Sequence, residues 1–264
     1  MSMIKLEHFN EKVSDQYNEL LTHNFLKRFE AGILSRDQIK LWAVEQAWLA
    51  RSFAANFEAV SMRLPYSGSH DTYKSKLAKV IEAESYHSTK DSGHPNFCKQ
   101  MFEVIAPDVS LDEELVECLE TTKQYVDGRQ DILVDQRHSI FYALGALAIH
   151  EFLNADTNNK SSLKLGIMVS VMKGLKKEFP DNIIAAAYAS RHVHDEESDY
   201  ALLKDIKTTL MDDIQKNPEL INIYPHSFNN ISDPRCDPEE GWNKGAMAYL
   251  ELRKIHLDGL EATI

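Results

Sequence analysis

Four short stretches of the chain carry carboxylates and imidazoles at spacings that could hold a metal ion. In Ala83-Glu84-Ser85-Tyr86-His87, a helix would place Glu84 and His87, three residues apart, on one face, as helical bundles do when they bind iron or manganese. The same spacing is common in an acidic, helix-rich chain, where it forms exposed hydrogen-bonded pairs. Glu151, next to His150, lies inside the segment 141–153, in which nearly every other residue is apolar and no Lys or Arg stands three or four positions away. A solvated face there would expose its apolar neighbours as well, so Glu151 points to a functional role. His192, Glu196 and Asp199 follow at i, i+4 and i+7 and share one helical stripe, whereas His194 and Glu197 fall on other faces. A charged, solvated helix end is the competing reading for this segment. His94, just before Pro95, could cap a helix or enter the site. Glu84, His87, Glu151, His192, Glu196 and Asp199 thus make a mixed oxygen and nitrogen donor set from three helices, with His94 in reserve. Such donors suit iron or manganese better than a zinc–thiolate or calcium site. Tyr86, Tyr142 and Tyr188 could line the same pocket or simply fill the core.

The elements that must position these groups are helices. Apolar residues recur at steps of three and four almost everywhere, and no useful length alternates with period two. N-cap residues Ser35, Ser110 and Asp181 and stops at Gly32, Pro65, Pro107, Gly128 and the 156–159 polar cluster predict helices over 9–31, 35–64, 71–90, 95–105, 111–126, 129–154, 161–179, 181–209 and 239–257. Residues 217–238, with their prolines and Asn229-Asn230, read as a long irregular connection. That connection comes too late to divide the chain into two cores, and no repeat is visible. An all-α, single-domain helical bundle over residues 1–264 is the expected architecture, with the helices around Ala50 and Ile149 at its centre.

Composition narrows the classes. The chain has 264 residues, 43% hydrophobic and 27% charged, with only 10 Gly and 8 Pro, which excludes disordered and collagen-like sequences. A net charge of -12 argues against nucleic acid and anionic membrane as partners. No signal peptide or bilayer-spanning run is apparent, so the expected location is the cytoplasm. Cys98, Cys118 and Cys236 are an odd number without CxxC spacing, which fits small apolar side chains better than a disulfide framework or zinc site.

Several stretches resemble the TenA/PqqC-like proteins of the haem-oxygenase-like fold, and among them the haem-oxygenase-like diiron oxidases of the CADD and UndA type. His23-Asn24-Phe25-Leu26-Lys27-Arg28-Phe29-Glu30-Ala31-Gly32-Ile33-Leu34-Ser35 is similar to that family's opening helix and turn. Residues 142–151 resemble its central helix with a metal-binding Glu, and Gly174-Leu175-Lys176-Lys177 with Phe179-Pro180 resembles the segment that follows. The late helix of the diiron members reads HxxxDxxH. Here the matching positions are His192, Glu196 and Asp199, so Glu replaces Asp and Asp replaces the final His. Early in the chain, Glu84 with His87 resembles the UndA-type ExxH, whereas His87 and His94 have the CADD-type spacing with His in place of Glu.

What the resemblance implies is a non-haem diiron or Mn/Fe oxidase or oxygenase with O2 as co-substrate, acting on a small amine, amino acid or carboxylic acid. A homodimer is expected. One alternative is a metal-free TenA/PqqC-like enzyme of thiamin or quinone cofactor metabolism. The TenA-like hydrolase would need a nucleophilic Cys on the central helix, where none stands. Another is a non-enzymatic helical interaction protein that has lost the site, a reading favoured by the substitutions at Glu196 and Asp199. Haem oxygenase proper would need a proximal His on the first helix, but only Asp15-Gln16 stand near Tyr17.

Overall fold

The computed structural model describes residues 5–50, 53–66, 68–85, 94–109, 118–155, 166–228 and 237–263, with the side chains at 194–198 and 226 outside that description. Among these residues every regular element is helical. In order they are α1 (Glu11–Leu21), α2 (Asn24–Ala31), α3 (Arg36–Ala50), α4 (Phe53–Arg63), α5 (His70–Glu84), α6 (His94–Ile105) and α7 (Glu120–Val134). There follow α8 (Ile140–Asn154), α9 (Ile167–Glu178), a 3-10 turn (Ile183–Ala186), α10 (Ala187–Lys216), the short α11 (Leu220–Ile223) and α12 (Pro225–Phe228), and α13 (Pro238–Ala262). No helix among the described residues is long and apolar enough to cross a membrane.

The helix α8 is the centre. Ser139 caps it by accepting a hydrogen bond from the Tyr142 N–H, and most of its turns are apolar all round, so it is stable only when other helices cover every face. Its largest contacts are with α13 and then α10. Asp237 caps α13 by accepting the Glu240 N–H at 2.8 Å, with Pro238 at the first turn. The crossing of α8 and α13 is unusually close. A Cβ on Gly145 would stand 2.0 Å from the Trp242 carbonyl oxygen, and one on Gly245 would stand 1.9 Å from that of Tyr142. Each helix therefore lays a glycine against the other's backbone, one turn apart.

Several boundaries differ from the periodicity. The 9–31 helix is two, because the chain breaks at Thr22 and the His23 ring caps α2 by accepting the Phe25 N–H. The 35–64 helix is also two, α3 and α4, with residues 51–52 outside the description. At the start of α3, Ser35 and Gln38 form a reciprocal capping box, Gln38 N–H to Ser35 Oγ and Ser35 N–H to Gln38 Oε1. Gly128 is no stop. α7 runs through it, and the missing Cβ makes room for Leu252 of α13, whose Cδ2 would lie 2.6 Å from that atom. The predicted 129–154 helix is accordingly the end of α7 and all of α8, with the turn around Asp135 between. Asn182, not Asp181, caps the 3-10 turn, and α10 extends to Lys216. The 217–238 connection contains α11 and α12. Ser110 lies outside the described residues.

Candidate metal centre

Three side chains from three helices converge in the core. Glu84 is the last residue of α5, which stops there because Ser85 is extended (φ -94, ψ 149). His94 is the first residue of α6, and His192 sits in the second turn of α10. One ligand atom from each lies within 4.8 Å of the others, and all three residues are buried. Glu84 Oε1 and His94 Nδ1 are 2.6 Å apart, and the His94 and His192 rings have centroids 4.1 Å apart. The 2.6 Å spacing is a hydrogen bond between carboxylate and imidazole, and the three ligand atoms lie close enough together to hold one metal ion.

Local chemistry fixes the His192 ring for such a role. Its Nδ1–H donates to the Tyr188 carbonyl one turn back at 3.1 Å, which puts the lone pair on Nε2. Burial, with His94 beside it, holds the imidazole well below the ordinary value of 6.5, so it is neutral at pH 7 as a ligand must be. His150 is depressed in the same way, by burial first and then by Arg129 and Arg253.

Glu151 is fully buried on α8, and neither carboxylate oxygen has a hydrogen bond among the described residues. A naked carboxylate in a packed core costs several kcal/mol, more than the fold recovers from its two methylenes. Protonation or a bound cation removes this penalty, and the mixture of carboxylate and neutral imidazole fits iron or manganese. Glu151→Met is therefore expected to stabilise the metal-free protein by about 1–4 kcal/mol, raising Tm by about 2 °C or more. Calorimetry in EDTA checks this. A Tm at or below the wild-type value would show that the carboxylate is satisfied without metal.

The other sequence candidates are placed as follows. Asp199 is buried on α10 two turns beyond His192, and neither it nor Glu151 belongs to the 4.8 Å group. Glu196 lies on α10 between His192 and Asp199, its side chain outside the description, and His87 lies wholly outside the described residues. The helix that an ExxH pair needs ends at Glu84 itself, and the imidazole that the structure sets against Glu84 is His94. Tyr188 lines the cavity, its hydroxyl accepting from Gln46 Nε2 at 2.9 Å and its ionisation pushed well above 10 by burial. Tyr142 is half-buried and stacks on His138, while Tyr86 lies outside the description. Cys98 is buried and its thiol is pushed up to about 12 by burial and by Glu84, so it is an inert packing group.

A small cavity of about 10 Å3, room for about one water molecule, adjoins the group, lined by Glu84 and His192 and by residues that carboxylate and histidine spacing did not reveal, chiefly Gln46, Tyr125, Asn154 and Arg253. Arg253 had a signal that could have found it. Along α13 the buried stripe runs Trp242, Ala246, Tyr249, Arg253, His256 and Leu260, and a guanidinium on such a stripe is out of place.

No family model and no curated protein matches the sequence. Among solved structures, a CADD-like protein of unknown function from Nostoc punctiforme is similar, with a TM-score of 0.59 and 12% identity over 96% of each chain. At that identity the likeness concerns backbone architecture alone. The chain therefore has the fold of a CADD-like protein, the haem-oxygenase-like arrangement in which α8 is wrapped by its neighbours and sealed by α13.

Proposed function

We propose that the protein is a non-haem metal-dependent oxidase or oxygenase, with a diiron or Mn/Fe centre, acting with O2 on a small amine, amino acid or carboxylic acid. The observation that carries this reading is the buried Glu84, His94 and His192 group, together with a second buried carboxylate, Glu151, that has no hydrogen bond among the described residues. Glu84, His94 and His192 would hold one ion, and Glu151 with Glu196 and Asp199 would complete the centre. When bound, the metal ions supply the one-electron steps that O2 chemistry needs.

The chain's own groups do the rest. The Tyr188 carbonyl keeps the His192 ring turned with Nε2 forward. Gln46 donates to the Tyr188 hydroxyl oxygen from one side, leaving its proton for another acceptor, and burial keeps that phenol neutral. Leu49, Phe53 and Met168 contribute apolar surface to the lining of the cavity. Protein prepared from iron-replete medium is expected to retain about two metal ions per chain, predominantly iron by elemental analysis. Anaerobic reloading with Fe(II) should then restore O2 consumption in the presence of substrate. A chain that stays metal-free and shows no thermal shift with Fe(II) or Mn(II) would overturn the reading.

A further inference from the structure

Residues 5–10, which precede α1, lie as a short strap against α10 and α13. Leu6 and Phe9 are buried, and Phe9 stacks on Trp242 of α13 with ring centroids 5.5 Å apart. The Trp242 Nε1–H donates to the His8 carbonyl at 3.1 Å, the Asn10 N–H to Asn243 Oδ1 at 2.7 Å, and the Leu6 N–H to Ser14 Oγ at 3.2 Å. One further tie is of a different kind. Lys204 Nζ of α10 stands 2.8 Å from His8 Nε2. An ammonium has donors only, so the imidazole must present a lone pair at Nε2 and carry its single proton on Nδ1. The contact exists only while His8 is neutral.

Protonating the ring would replace that hydrogen bond with two cations in contact. Lys204 and Lys207 on α10 oppose the added charge, whereas Glu7 on the strap and Glu239 on α13 favour it. Tyr200 of α10, its ring centroid 6.4 Å from that of His8, stays neutral, because burial and Glu7 push its ionisation up. Burial and the two lysines outweigh the two carboxylates, so His8 titrates below its ordinary value of 6.5. We propose that His8 is an acid-sensitive latch, whose protonation breaks the Lys204 contact and lets the 5–10 strap lift from α10 and α13 more often. The docked strap favours the neutral ring. Docking is therefore fully supported above pH 6.5, weakens as the pH falls through the lowered value, and levels off beneath it. Lifting removes Phe9 from the Trp242 indole, the residue whose carbonyl lies against Gly145 where α13 crosses α8. The latch uses none of Glu84, His94 and His192 and stands apart from the metal-centre reading.

Amide hydrogen exchange of the full chain at pH 7.5 and pH 5, corrected for the intrinsic pH dependence of exchange, tests the latch. The Leu6 and Asn10 amides, both bonded to side chains outside the strap, report its opening, and the amides of α8 report the whole bundle. Acid is expected to lower protection of the two strap amides by about 3–10-fold, the size of one lost hydrogen bond, with α8 unchanged. His8→Asn, which offers Lys204 an acceptor that does not titrate, should give equal strap protection at both pH values. Lys204→Met, which removes both the bond and the repulsion, should shrink the difference as well. Equal strap protection at the two pH values in wild type overturns the proposal, and so does a pH difference that survives in His8→Asn. An NMR titration of the His8 ring in wild type needs no variant: a midpoint below 6.5 is expected, and one at or above it overturns the latch.

Discussion

Replacing His192 with alanine is expected to weaken Fe(II) binding by about 100-fold or more while far-ultraviolet circular dichroism still reports a helical bundle. Loss of a partner that merely orients a ligand costs about 10–100-fold in known metal sites, and in the proposed centre His192 supplies a ligand atom itself. The substitution also leaves a hole in a packed core, a loss of about 2–4 kcal/mol that must be told apart from the metal effect. His256→Ala provides the comparison. His256 is an equally buried imidazole, hydrogen-bonded through Nδ1 to Thr122 at 3.1 Å and outside the Glu84, His94 and His192 group. Its removal should lower Tm by a similar amount and leave Fe(II) affinity unchanged. Fe(II) titration of the three proteins decides the matter: equal affinity throughout would remove His192 from the centre.

The second large effect falls on stability. Gly145→Ala ordinarily gains about 1 kcal/mol in a helix interior, since alanine restricts the unfolded chain and glycine does not. Here the added methyl would meet the Trp242 carbonyl oxygen at 2.0 Å, a backbone atom that no rotamer change can move. The two helices would have to part along their whole contact, and the steric loss of about 3 kcal/mol or more outweighs the propensity gain. A Tm drop of about 6–12 °C is expected. Gly245→Ala, whose Cβ would meet the Tyr142 carbonyl oxygen at 1.9 Å, should behave alike. Gly68→Ala, with nothing within 4 Å, should change Tm by little. A stabilised Gly145→Ala protein would mean that α8 and α13 are not this close in solution.

This crossing also marks the limit of what the sequence made legible. Period-3.6 patterning identifies an all-helical chain and places the helix around Ile149 at its centre, because burial on every side leaves no polar face. It does not distinguish a glycine that ends a helix from one that admits a neighbour, so Gly128, read as a stop, is a packing position inside α7. Nor does periodicity register a break such as Thr22-His23, where a capping side chain restarts the helix without proline or glycine. Within the site, Glu84 and His192 stand out because charged or titratable groups recur among apolar turns. His94 was the harder residue to weigh: it begins a new helix ten positions from Glu84, and spacing rules speak only within one helix. Arg253 is neither a carboxylate nor an imidazole, so metal-ligand spacing does not single it out, although its apolar neighbours place it on the buried face of α13.

The seal that α13 forms on α8 has a consequence for the life of the chain on the ribosome. α8 is made well before α13, and its 15 residues are nearly all apolar. Until the later helix emerges, the nascent protein carries an uncovered hydrophobic rod, the kind of surface that chaperones hold and that drives association between neighbouring chains. Folding of the central helix is thus tied to the progress of translation, and a pause between the two segments would prolong the interval in which the chain is most prone to aggregate.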